Sequence, residues 1–269
     1  MLGICHICGS YRKLSFEHVP PRAAFNHQRI LHIAFEKILA SETLDEIPGG
    51  KVQQRGAGAY TLCESCNNNT GCWYGSAYAD WALQAMGIII GTRGTPSLEY
   101  PFDLFPLRAL KQVVGMFFSV NGPAFQQTQA DLVRFVLNRD SNIFPDHVRV
   151  YAFYTYSNRS RVAGMSGVLR GFGSSRSRIH VFSEITFSPF GFVMASSNHS
   201  PPEANFCEIS GFSKFNYPWR GRITMKLPLM PIYTGFPGDY RTRDQAFADF
   251  EENKRAMAQM AGWRFGARR

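Results

Sequence analysis

Two Cys-x-x-Cys pairs, Cys5/Cys8 and Cys63/Cys66, constrain this chain more than any other feature. Two residues between cysteines let a tight turn aim both sulfurs at one ion, and two such pairs supply the four thiolates of a tetrahedral structural Zn²⁺. The four cysteines are therefore expected to hold zinc, and the zinc to staple residues 5–8 to residues 63–66. Everything between them becomes a loop with fixed ends. Glu17-His18 falls inside that loop, and Asn67 follows the last cysteine directly in the run Leu62-Cys63-Glu64-Ser65-Cys66-Asn67-Asn68-Asn69-Thr70-Gly71. The staple is expected to gather Glu17, His18 and Asn67 around a second metal ion.

The rest of the composition narrows the class. A chain of 269 residues that is 45% apolar and 14% aromatic supports a sizeable core, which excludes global disorder. Four of the six cysteines sit in metal-type pairs, which argues against a secreted disulfide framework. No charged region followed by a long apolar stretch opens the chain, and Gly87-Ile88-Ile89-Ile90-Gly91 is far shorter than the roughly 20 residues that span a bilayer. A soluble protein of a reducing compartment, the cytoplasm, is expected.

The net charge is +9, unevenly placed: residues 1–100 hold 8 Lys/Arg against 8 Asp/Glu, and residues 101–269 hold 21 against 12. Within residues 147–183 stand Arg149, Arg159, Arg161, Arg170, Arg176 and Arg178 with no acidic residue. Two readings fit, a surface that attracts nucleic acid and a merely basic one.

Along the chain, residues 1–18 read as a short hairpin whose strand ends on Glu17-His18. Ile30, Leu31, Ile33, Ala34, Ile38 and Leu39 recur at helical spacing, which predicts a helix over residues 27–40. Residues 51–62 read as an extended segment or hairpin leading into the second knuckle. A helix follows Asn67, with Tyr78, Trp81, Ala82, Ala85 and Met86 on one face. Glycines, prolines and Ser97 in residues 91–103 mark a domain boundary. Helices are predicted from Pro106 to Phe117 and over 131–138. Alternating runs then predict antiparallel strands at 148–156, 161–169, 179–187, 191–195 and 223–227. A terminal helix over 243–264 carries Phe247, Phe250, Met257 and Met260 as its apolar face. The expected class is α+β, with a zinc-stapled unit over 1–90 and a basic α+β domain over 104–269.

A metal-dependent phosphodiesterase needs a divalent cation to polarise the phosphate and a base to deprotonate water. Carboxylate and amide oxygens are suitable hard ligands, and histidine is a suitable base near neutral pH. Glu17, Asn67 and His18 supply these chemistries, and alternation along a strand sends Glu17 and His18 to opposite sides. A Cys-x-x-Cys, an acidic-His pair, a Cys-x-x-Cys-Asn and then a helix resemble the HNH (ββα-metal) endonucleases that carry a four-cysteine zinc, over roughly residues 1–90. The resemblance implies that Glu17 and Asn67 bind a catalytic Mg²⁺ or Mn²⁺ and that His18 activates water. Glutamate stands here where that family has aspartate, and residues 19–62 form an insertion. No asparagine stands near Gly58-Ala59-Tyr60, where the family places the residue that braces the loop. The stretches Glu17-His18-Val19-Pro20-Pro21-Arg22-Ala23-Ala24-Phe25-Asn26 and Cys66-Asn67-Asn68-Asn69-Thr70-Gly71 also resemble a bacterial group of HNH proteins found among mobile and defence genes.

Arg22 and Arg29 follow the Glu-His pair closely and are expected to contact phosphate, which a guanidinium fits bidentately. His27 and His32 read as phosphate contacts or as surface or core histidines, and His6 as an exposed turn residue. Trp73, Tyr74, Tyr78 and Trp81 read as partners for stacked bases or, at helical spacing, as core. Cys72 lies outside the pair spacing and is expected as a buried thiol; Cys207 is isolated. The expected function is a metal-dependent HNH endonuclease acting on nucleic acid, DNA before RNA, as a defence or mobile-element effector. Residues 104–269 are expected to position substrate, form an oligomer or sense an activating partner. The alternative is a non-catalytic zinc-dependent module that binds nucleic acid or protein.

Overall fold

A computed structural model describes residues 1–41, 43–94, 99–170 and 178–266 as a mixed helix and sheet protein whose sheets are antiparallel. β1 (Leu2–Ile4) and β2 (Tyr11–His18) form the first hairpin, closed by the turn that carries Cys5 and Cys8. β3 (Ile30–His32), α1 (Phe35–Leu39) and β4 (Lys51–Gln53) make a second, small unit in which β3 pairs with β4. β5 (Gly58–Cys63) then returns to the other edge of β2, giving a sheet ordered β1-β2-β5. In that register Leu14 lies opposite Cys63, Glu17 opposite Ala59 and His18 opposite Gly58, with a shift between Ser15 and Phe16.

The helix expected over residues 27–40 is not formed; its place is taken by β3 and by α1, which buries no residue. The apolar spacing is helical, but no core faces it, since Leu31 and Leu39 are exposed. The backbone groups of residues 30–32 find partners in β4 instead, and so short an isolated helix has little to hold it.

α2 (Glu64–Thr70) begins directly after Cys63 and runs through a π-turn (Gly71–Gly75) into α3 (Ser76–Gly91). β6 (Tyr100–Leu104) leads to α4 (Pro106–Val120), where Pro106 takes the first helical position, at which its missing N–H costs nothing. All of α4 except Arg108 and Val120 is buried. α5 (Phe125–Thr128) and α6 (Ala130–Leu137) follow. Five strands then build the main sheet: β7 (Val148–Tyr154), β8 (Arg161–Arg170), β9 (Arg178–Phe187), β10 (Phe190–Ser196) and β11 (Cys207–Glu208), ordered β11-β7-β10-β9-β8. β12 (Gly221–Met225) pairs back onto β6. One cluster of buried side chains runs from Cys5, Leu14 and Leu62 through Tyr74, Tyr78 and Trp81 to Phe117, Phe190 and Leu227. Tyr74, Tyr78 and Trp81 are thus core, with Trp81 against Phe190 at 4.4 Å between ring centroids.

α7 (Arg243–Gly266) closes the chain. Its expected apolar face is only partly used: Phe247 packs on Tyr233, whereas Phe250 and Met257 are exposed, and the Met260 side chain lies outside the described residues. Among the described residues no helix is long and apolar enough to cross a membrane.

α4 carries a buried lysine. Lys111 Nζ donates to the carbonyls of Phe135 at 2.5 Å and Asn138 at 2.7 Å, the last carbonyls of α6, where a cation complements the helix dipole. Burial pushes its amine down from 10.5 to about 8. Below that pH both folded and unfolded chains carry the ammonium, and the fold bears its desolvation. As pH rises from 8 to 10.5 the folded state sheds the proton first, so stability rises. Relative to Lys111→Met, the wild type is expected to gain about 3 kcal/mol of unfolding free energy between pH 7.5 and 10.5 in urea titrations. A difference that stays constant with pH would show that the amine reaches water.

Candidate metal centre and its surroundings

The turn after β1 contributes Cys5 and Cys8, and the β5–α2 junction contributes Cys63 and Cys66. Register brings them together, because pairing Leu14 with Cys63 sets the end of β5 beside the first turn. The His6 amide donates to the Thr61 carbonyl at 2.9 Å and fastens that turn to β5. The four sulfurs lie within 4.8 Å of one another. Cys8 and Cys63 Sγ are 3.9 Å apart; the edge of a tetrahedron of sulfurs about 2.3 Å from a central zinc is about 3.8 Å. The Cys63 amide donates to Cys5 Sγ at 3.3 Å, a bond that favours a thiolate there. A hydrogen bond from Cys66 pulls Cys5 down to about 4, and the same bond, with burial, pushes Cys66 up. Without a metal a thiolate is thus favoured at Cys5 and disfavoured at Cys66. Its donors, spacing and burial fit a structural zinc.

Glu17 and His18 end β2, and Asn67 sits one turn into α2, facing that strand. The Asn67 amide Nδ2 donates to Ser15 Oγ at 3.0 Å and to the Phe16 carbonyl at 3.1 Å. Both amide hydrogens are thus engaged at the strand shift, which leaves Oδ1 as the acceptor. Glu17 is 8% exposed and has no hydrogen bond or ion pair among the described residues. Burial alone pushes its carboxyl up to about 8, so without a cation it holds a proton at neutral pH.

His18 is half-buried on the other side of the strand. Its Nε2 bonds the Arg55 carbonyl at 2.9 Å. A carbonyl only accepts, so Nε2 carries the hydrogen and Nδ1 keeps its lone pair. Burial lowers the imidazole below 6.5; the Arg55 carbonyl opposes this, and the charges of Arg22 and Arg55 reinforce it. The ring is neutral at pH 7 and able to accept a proton.

No protein-family model, curated protein or solved structure matches the chain.

Two residues that shape this site were not legible in the sequence. Asn26 is fully buried in the insertion; its Nδ2 donates to the Pro20 and Ala57 carbonyls, both at 2.7 Å, and its Oδ1 accepts from the Ala57 amide at 2.6 Å. It pins the turn after His18 to the approach of β5. A Cβ at Gly56, where φ is +88°, would collide with Asn26, and one at Gly58 with the Glu17 carbonyl, so both glycines permit this closure. A bracing asparagine is thus present, but from before the loop and not from within it. Asn26→Ala strands the Ala57 amide and the Pro20 carbonyl, while the Ala57 carbonyl still accepts from the Val19 amide at 3.0 Å, and is expected to cost about 2 kcal/mol in urea unfolding; a loss under about 0.5 kcal/mol would show that water replaces it. The second residue is Arg55, whose carbonyl orients His18 and whose charge acts on it.

The remaining candidates spread out. Arg22 is exposed and close enough to act on His18, whereas Arg29 is exposed at the entry to β3. His27 Nε2 accepts from Gln28 at 3.0 Å on the surface, and His32 is exposed in β3. His6 is not the free turn residue expected: its Nδ1 bonds the Phe118 carbonyl at 3.2 Å and ties the first knuckle to α4. Cys72 is exposed, not buried, because the π-turn rotates it away from the core that takes Tyr74.

The basic stretch changes character in three dimensions. Arg161 is buried with Glu184, which it meets through Nη2 at 2.6 Å, and its Nη1 donates to the Thr234 and Asp239 carbonyls. Arg159 donates to the Tyr233 carbonyl, and Arg149 pairs with Glu208 at 3.4 Å. Arg178 is exposed, while Arg176 and the Arg170 side chain lie outside the described residues. Carboxylates and carbonyls from elsewhere in the chain thus engage three of the six.

Proposed function

We propose that this protein is a metal-dependent endonuclease of the HNH type, in which a zinc-stapled strand-strand-helix unit over residues 1–90 hydrolyses nucleic-acid phosphodiester bonds, DNA before RNA. The observation that carries the reading is Glu17: a buried carboxyl without a partner, on the strand that Asn67 touches, with the Asn67 Oδ1 left as acceptor. Burying an ionisable group alone is unfavourable, and such an arrangement suits a cation that restores the lost solvation. Four cysteines hold the structural zinc. Glu17 and Asn67 are the ligands offered to Mg²⁺ or Mn²⁺, which supplies polarisation of the phosphate and stabilisation of the leaving oxygen.

His18 accepts the proton of the attacking water at Nδ1, while the Arg55 carbonyl holds the ring by Nε2–H. Arg22, beside His18, offers a guanidinium to the phosphate. Residues 104–269 position substrate or receive a partner. The experiment is incubation of the purified protein with plasmid and with single-stranded DNA in Mg²⁺, Mn²⁺ or EDTA. Nicking that needs the divalent ion is expected. A shift of the substrate that is indifferent to metal, without cleavage, would replace the proposal with a binding module.

A further inference from the structure

A cleft of about 630 Å³ opens on β4, the loop after it and the exposed part of β5, immediately beside His18. Its walls include Phe16, Lys51, Gln53, Arg55, Gly58 and Tyr60, and no carboxylate is among its lining residues. Tyr60 is 48% exposed and meets Phe16 edge to face at 5.5 Å between centroids; Phe16 in turn meets His18 at 4.9 Å. The cleft is thus joined to the candidate base by two ring contacts. Gln53 has its Oε1 shielded from solvent and without a hydrogen-bond partner.

We propose that this cleft seats one or two unpaired nucleotides next to the bond that is cut, so that the substrate presents a single strand here. The inference rests on the nuclease reading for its placement beside the scissile bond. Three features point to an unpaired strand. An exposed tyrosine offers a face for a base, which a stacked duplex does not present. Lys51 and Arg55 supply cations without an opposing acid, which suits a phosphate backbone. A volume of this size accommodates a small ligand and not a double helix. The insertion that separates the two knuckles supplies both cations, which gives residues 19–62 a role in choosing substrate.

The test is fluorescence anisotropy with a labelled oligothymidylate and a duplex of the same length, without added divalent cation. Wild type is expected to bind the single strand more tightly than the duplex. Tyr60→Ala is expected to weaken that binding by about tenfold or more, and Tyr60→Phe, which keeps the ring, to stay within about twofold of wild type. Lys51→Ala and Arg55→Ala are each expected to reduce the slope of log affinity against log salt by about 0.7. Duplex bound as tightly as the single strand, or a Tyr60→Ala protein that binds as wild type, overturns the proposal. The outcomes separate from those of the nuclease assay. Cleavage by wild type with Tyr60-independent binding refutes the cleft alone, and Tyr60-dependent binding without any cleavage refutes the nuclease and leaves the cleft.

Discussion

Cys63→Ser is expected to empty the metal centre and to lower the melting temperature by on the order of 10 °C or more. Serine preserves the volume of Cys63, so the change removes a thiolate and little else. That thiolate lies 3.9 Å from Cys8 Sγ, at the junction where β5 becomes α2. With three ligands left, the zinc no longer closes the loop between the knuckles. Among the remaining cysteines a thiolate is favoured at Cys5 and disfavoured at Cys66, so the emptied cluster does not readily supply the thiolates that a metal needs. Structural zinc contributes about 10–16 kcal/mol in isolated fingers. Here Leu14, Leu62, Ile7 and Tyr74 also hold the unit to the main core, so a smaller loss of several kcal/mol is expected. At about 2–4 °C per kcal/mol for a chain of this size, that is the stated shift. Elemental analysis and a thermal melt of both proteins read it directly. Full metal content and an unchanged melt in the variant would show that the four sulfurs are merely close.

The second large effect is chemical. His18→Ala is expected to reduce metal-dependent cleavage by about 10²- to 10⁴-fold, the usual contribution of a positioned general base. Because His18 is half-buried and outside the cysteine cluster, zinc content and the melt should change little. The wild-type profile carries a further signature: with the imidazole held below 6.5, the acid limb of cleavage against pH should fall below that value. Retained cleavage by His18→Ala would remove His18 from the mechanism and with it the proposed site.

Some of this was open to direct reading because it depends on local rules. β7 to β10 of the main sheet, and β12 beside β6, follow the alternation of Val, Ile, Phe and Tyr, and their observed bounds lie within a few residues of those expected, whereas β6, in the stretch read as a connection, and the two-residue β11 have no counterpart among the expected strands. α4 and α6 follow helical periodicity in the same way. The failures occur where a distant partner competes with local preference. Residues 30–32 have helical spacing but pair with β4, because nothing covers the face a helix would present. Arg161 reads as part of a basic surface until Glu184 and two carbonyls bury it, and no count of charges along the chain contains that pairing.

What the sequence by itself determined is the cluster and its neighbours. Two Cys-x-x-Cys pairs admit few folds that satisfy four thiols, and anything adjoining them in the chain, Glu17-His18 and Asn67 included, is carried along by covalent connection and strand alternation. What only the tertiary structure decided is how that site is closed. Asn26 braces the turn from the unexpected side, Arg55 turns its carbonyl to His18, and Glu17 is left buried without a partner. Each of these is a matter of hydrogen-bond satisfaction and desolvation between segments far apart in the chain, and such terms exist only once the backbone has brought the groups together.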